Sequence, residues 1–166
     1  STYSLRQNNT GSRPTLAPDT WFGGSSLYES IEASCSMSAS LPSSTNYTVS
    51  AIVLCKNLRP VSNCQILSLA GTTSSIKLNC TTTGCWQIVR TDDLGIAQTQ
   101  TTTYPIAPVP VCVTLSTNNS NIFLYVDGQL VDTMTVSGAS STITNFILFG
   151  GDSRSIVRNL AISNST

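Results

Sequence analysis

The sequence predicts an all-β protein, an antiparallel two-sheet β-sandwich. Short apolar, β-branched runs alternate with polar residues along the chain, turn formers separate them, and no window carries a helical stripe. The clearest stretch, residues 107–136, predicts strands over 109–115, 122–126 and 129–136. Between the last two sits Asp127-Gly128, the pair that a two-residue type I′ hairpin favours because both central residues need positive φ. Val111, Val113 and Leu115 alternate with Cys112 and Thr114, and Ile122, Leu124 and Val126 with Phe123 and Tyr125. Both faces of the middle strand are apolar, which predicts cover on both sides.

The remaining elements follow in order. Residues 1–26 lack periodicity and carry Pro14, Pro18 and Gly23-Gly24, so they form an irregular N-terminal arm. Its apolar residues Tyr3, Leu5, Leu16, Trp21 and Phe22 are too many for a solvated tail and predict docking on a surface. The domain proper spans 27–166. Alternation predicts a strand over 27–37, a loop over 38–46 and a β-branched strand over 47–54. Strands over 65–69 and 75–78 flank a turn at Gly71, and another covers 86–90. The threonine tract before Pro105 reads equally as strand or extended loop. Strands over 143–149 and 156–162 close the chain.

Composition sets the compartment and the partners. At 166 residues the chain suits one domain with a real core, and its charge is zero with 8 basic and 8 acidic residues. The arginines are scattered and Lys56 and Lys77 are the only lysines, so nucleic acid is not an expected partner. No apolar run reaches the roughly 18 residues of a transmembrane segment. Charged residues are 10% of the chain, against about a quarter in ordinary domains, so hydroxyls, amides or attached sugar must provide solubility. Sequons at Asn8, Asn46, Asn79, Asn118 and Asn164 would supply that sugar. The even set Cys35, Cys55, Cys64, Cys80, Cys85 and Cys112 suits disulfides in an oxidising compartment. Sequence proximity favours Cys80 with Cys85 and Cys55 with Cys64, leaving Cys35 with Cys112. An extracellular location, secreted or at a cell surface, is the expectation, and a start at Ser1 without Met fits a mature chain.

The segment Tyr125-Val126-Asp127-Gly128, the run Phe146-Ile147-Leu148-Phe149-Gly150-Gly151-Asp152 and the closing strand together resemble the laminin G-like, pentraxin and concanavalin A-like jelly rolls. More narrowly, they resemble the lectin-like C-terminal domain of trypanosomatid trans-sialidases. The likeness covers about 27–163 and implies a concanavalin A-like jelly roll with a recognition role; the catalytic propeller of those enzymes has no counterpart here.

No enzyme is expected. Without histidine there is no Ser-His-Asp or Cys-His nucleophile and no His-ligated metal. The two glutamates, Glu29 and Glu32, are three apart and face opposite ways on a strand, unlike a glycosidase pair. No cofactor is expected. Asp92, Asp93 and Asp152 are the oxygen ligands that calcium could use, but no D-x-D-x-D loop assembles them. Trp86, Asp92, Asp93 and Tyr104 are the candidate glycan-binding residues, with aromatic faces for sugar rings. The expected function is a non-catalytic, secreted or cell-surface glycoprotein module that binds glycan or a surface protein in adhesion or recognition. The alternatives are a structural subunit of a self-assembling filament or coat, its arm packed on a neighbouring copy, and a detached accessory domain of an enzyme.

Overall fold

A computed structural model of the chain describes residues 6–7, 15–17, 27–29, 36–150 and 155–164. Its strands are β1 (Arg6–Gln7), β2 (Thr15–Ala17), β3 (Leu27–Glu29), β4 (Ser36–Ser44), β5 (Tyr47–Cys55), β6 (Cys64–Ala70) and β7 (Ser75–Cys80). They continue as β8 (Cys85–Thr91), β9 (Ala97–Pro105), β10 (Val111–Thr117), β11 (Asn121–Val126), β12 (Gln129–Thr135), β13 (Ile143–Phe149) and β14 (Ser155–Ser163). Two antiparallel sheets form a sandwich. The first runs β1-β4-β13-β6-β7-β8-β9 and the second β12-β11-β10-β5-β14-β3-β2. The chain changes sheet after β1, β3, β4, β5, β9, β12 and β13, so segments distant in sequence become strand neighbours. Among the described residues no helix is long and apolar enough to cross a membrane.

Period-two alternation builds the core. Tyr47, Val49, Ala51 and Val53 of β5, Val113 and Leu115 of β10, and Ile122 and Leu124 of β11 are buried. They share one cluster with Leu67, Leu69, Ile76, Leu78, Ile88, Phe146 and Leu148 of the first sheet. Each large apolar side chain so placed contributes about 1.5–3 kcal/mol. On the outer face of the second sheet, hydroxyls pair across strands: Thr48 with Ser116 at 2.9 Å and Ser50 with Thr114 at 2.8 Å. These pairs give a charge-poor chain a wettable surface.

The two sheets are sewn together along one side. The edge strands β9 and β12 are bridged by Gln98, whose Nε2 donates to the Thr135 carbonyl at 2.7 Å. Gln100 Nε2 donates to the Thr133 carbonyl at 3.1 Å. Backbone groups that an edge strand would leave open are thereby satisfied within the fold.

The hairpin at Asp127-Gly128 has the expected turn, with φ of 50° and 78°. Other expectations are corrected. Segment 38–46 is not a loop, because β4 runs on to Ser44 with Ala39 and Leu41 buried. Pro42 is tolerated there because it lies in a bulge of β4, where residues 41–43 pass between the Ser40–Asn145 and Ser44–Ile143 pairs, and β1 pairs only with Met37 and Ser38. The threonine tract is strand β9. The middle strand, β11, is covered on one face only; Phe123 and Tyr125 are half-buried on the other, their rings 6.5 Å apart. The arm is not irregular throughout: β1 pairs with β4, and β2, which holds Leu16, pairs with β3. Tyr3, Leu5, Trp21, Phe22, Asn8, Cys35 and Asp152 lie outside the described residues.

The pairing of Cys80 with Cys85 read from sequence proximity does not fit the register. Cys55, Cys64 and Cys80 are buried, Cys85 is half-buried and Cys112 is exposed. Cys80 faces Trp86 in the β7–β8 register, and Cys85 lies one step further on, so the two point to opposite sides of the sheet. Cys112 is exposed on the outer face, across from Ile52.

Candidate functional site

At one end of the sandwich three loops of the first sheet's side meet: 71–74, 92–96 and 136–142. The first is a tight turn in which Gly71 N–H donates to the Ser74 carbonyl at 2.8 Å. A side chain at Gly71 would run into the Thr142 carbonyl, so the close approach of the loops requires glycine. Ser74 Oγ donates to that same carbonyl at 2.6 Å.

Two aspartates and an arginine lock the other two loops. Asp92 Oδ1 accepts the N–H groups of Leu94 at 2.9 Å and Ile96 at 2.8 Å, and Oδ2 accepts Ala139 N–H at 3.3 Å. Asp93 Oδ1 accepts Thr142 N–H at 2.9 Å, and its Oδ2 accepts the hydroxyls of Thr142 at 2.7 Å and Ser140 at 3.3 Å. The buried guanidinium of Arg90 donates to the carbonyls of Ser137, at 2.9 Å, and Ala139. Both carboxyls are held below the usual Asp range, Asp92 chiefly by the Ile96 N–H and Asp93 chiefly by the Thr142 N–H.

The locked loops frame a shallow cavity of about 240 Å³ lined by Thr72, Thr73, Asp93, Thr142 and Thr144. Beside it the 92–96 loop exposes Leu94 (74%) and Ile96 (63%), which flank the turn residue Gly95, itself against Thr73. Hydroxyls that donate and accept, one carboxylate that only accepts and two apolar side chains form a surface able to contact a polyhydroxylated ligand on both its polar and its C–H faces.

The structure separates the four candidates read from the sequence. Asp93 lines the cavity. Asp92 is buried, its oxygens taken by loop N–H groups. Trp86 is corrected outright: it is fully buried at the opposite end of β8 and has no face to offer a sugar. Tyr104 is exposed but lies at that opposite end too, near the close of β9. Among the described residues no three His, Cys, Asp or Glu side chains are grouped to hold a metal ion. Sequence reasoning missed Thr72, Thr73, Thr142 and Thr144, which carry no motif, and Arg90, whose signal was a lone cation closing the apolar strand Trp86-Gln87-Ile88-Val89.

Of the sequons, Asn46, Asn118 and Asn164 occupy turns or a strand end at the cavity's end of the sandwich, and Ser44 Oγ donates to Asn164 Oδ1 at 3.2 Å. Asn79 is different. It lies within β7, its Nδ2 donating to Gln87 Oε1 at 3.3 Å and its Oδ1 buried without a hydrogen bond.

This architecture is an antiparallel β-sandwich of the jelly-roll type. No family model matches the chain and no curated protein does. Solved structures do. The binding domain of botulinum neurotoxin serotype D is similar with a TM-score of 0.72 at 14% identity, over 99% of this chain and 43% of that one. The serotype G binding domain has a TM-score of 0.69 at 12% identity, over 99% and 44%. A type C neurotoxin structure, described by cell entry that depends on interaction with two ganglioside molecules, has a TM-score of 0.68 at 12% identity, over 99% and 44%. The chain spans less than half the length of these neighbours, and at such identities the likeness is one of fold.

Proposed function

We propose that the chain is a non-catalytic recognition module, secreted or displayed at a cell surface, that binds glycan through the threonine-lined end of the sandwich. The observation that carries this reading is the cavity formed by Thr72, Thr73, Asp93, Thr142 and Thr144, on loops fixed before any ligand arrives. Preorganisation matters because hydroxyl contacts to a sugar gain little over water unless the site is already ordered. The neighbours of the same fold support it: one is a neurotoxin binding domain, and another is described by cell entry that depends on interaction with two ganglioside molecules. The short-motif resemblance to trans-sialidase lectin-like domains supports the same class. Calcium stays outside the reading, since Asp92 is buried with its oxygens on loop N–H groups and leaves Asp93 as the single carboxylate at the cavity.

The test is an oligosaccharide array probed with the chain and with Thr72→Arg, which fills the cavity from an exposed position. Binding to a defined glycan that falls at least about tenfold in the variant, a loss of about 1.4 kcal/mol, supports the reading. Equal binding by both chains, or no glycan bound, opposes it.

A second reading is self-assembly, favoured by one observation: β1 and β2 are very short and sit at sheet edges beside β4 and β3. Such strands could be exchanged with a neighbouring copy. Sedimentation of the intact chain at rising concentration separates the readings, because exchange gives oligomers and recognition does not require them.

A further inference from the structure

At the end of the sandwich opposite the cavity, three cysteines meet between the sheets. Cys64 opens β6 and Cys80 closes β7, and they are direct partners in the antiparallel register. Both are buried in the core cluster, and Cys64 Sγ approaches the Cys80 carbonyl at 3.9 Å. Cys55 arrives from the second sheet at the end of β5, buried in the same cluster, with Ser155 Oγ donating to its sulfur at 3.6 Å. Directly opposed residues of an antiparallel pair have Cα atoms about 4.5–5.5 Å apart, within the range a disulfide spans. Cys85 and Cys112 lie on other faces and share no such register.

We propose that Cys64 and Cys80 are a disulfide site, closing a cross-strand bridge between β6 and β7 that sequence proximity does not suggest, with Cys55 the adjacent unbridged thiol. The oxidant is a low-molecular-weight disulfide or a dithiol oxidoreductase of the secretory compartment. One cysteine thiolate attacks that disulfide, forms a mixed disulfide and expels one thiolate. The second cysteine thiolate then attacks the protein sulfur of the mixed disulfide and expels the other. Two S–H bonds are lost and one S–S bond forms, while the oxidant is reduced by two electrons and its two thiolates take up the two protons. The step belongs to folding, before the sheets close. Once they have closed, the Cys64 side chain and burial keep Cys80 protonated, and burial pushes Cys55 up to about 12, so neither is a nucleophile.

The test is peptide mapping of the intact chain, secreted or refolded in a mixture of reduced and oxidised glutathione, without reduction. Trypsin separates Cys55, ahead of Lys56, from Cys64 on 57–77 and from Cys80 with Cys85 on 78–90. A cross-link between the last two peptides, assigned to Cys80 by fragment ions, is the expected result. Alkylated thiols at Cys64 and Cys80, or a dominant Cys55–Cys64 or Cys80–Cys85 link, overturns the proposal. As a second measurement, reduction should lower Tm by roughly 5–10 °C in the wild type and in Cys55→Ser, but not in Cys64→Ser. An equal drop in Cys64→Ser also overturns it.

Discussion

Asp93 and Thr142 are joined twice, through the Thr142 N–H to Oδ1 at 2.9 Å and the Thr142 hydroxyl to Oδ2 at 2.7 Å. Forty-nine positions apart, they tie the loop after β8 to the strand that begins at Ile143, and both line the cavity. Thr142→Val keeps the shape and deletes one of the two bonds. It should lower unfolding free energy by about 1 kcal/mol in urea titration, with an unchanged slope.

Acid should loosen the same clamp. Asp92 and Asp93 are held below the ordinary value of 3.8, so the stability they add is fully present above that pH. It is lost as pH falls through their lower folded values, because the unfolded chain binds protons first. Thermal melts from pH 5 downward should show Tm falling below about pH 4, and Asp93→Asn should flatten that fall. Parallel curves for both chains would remove Asp93 from the account.

How much of this was legible beforehand differs by element. The Asp127-Gly128 hairpin was readable because its turn chemistry is local: positive φ at two positions admits few residues. Most strands from 47 onward were readable by alternation. The strand through Pro42 was not, because proline is acceptable there only through a bulge in β4 that its pairing with β13 reveals. The cavity was unreadable, since Thr72, Asp93 and Thr142 come together only through the sheet order that sets β13 beside β6. The Cys64–Cys80 juxtaposition was hidden for a related reason: neighbours in sequence, such as Cys80 and Cys85, fall on opposite faces of one hairpin, whereas Cys64 is its direct cross-strand partner.

Two glycines separate backbone strain from steric contact. Gly128 has φ 78° with open space around it, so Gly128→Ala should cost about 1 kcal/mol, through conformation alone. Gly71→Ala forces the side chain into the Thr142 carbonyl and should cost more, about 2–4 kcal/mol. Urea midpoints compare them, and a Gly128 variant worse than the Gly71 variant would contradict the loop packing.

The thiols should sort by burial. In fully reduced protein, exposed Cys112 should react with a maleimide at least about a hundredfold faster than buried Cys55. Because Cys55 is raised from 9.0 to about 12, unfolded chains lose that proton first as pH rises, and stability should fall from pH 9 upward. Flat stability between pH 9 and 11 would contradict its burial.

Glycan occupancy should follow backbone setting. Expressed in a glycosylating host, the chain should carry sugar at Asn118 and Asn46 and none at Asn79, whose amide is engaged by Gln87 inside β7. Mass mapping after enzymatic deglycosylation reads this directly. Sugar at Asn79 would mean that β7 forms only after the transfer.

The most direct measurement is an amide NMR titration of the intact chain with the soluble headgroup oligosaccharide of a ganglioside. Recognition at the threonine-lined end predicts saturable shifts at 72–73, 93–96 and 140–144, absent in Thr72→Arg, and none at 56–63 or 81–84. Shifts confined to the opposite end, or no shifts at millimolar sugar, contradict it.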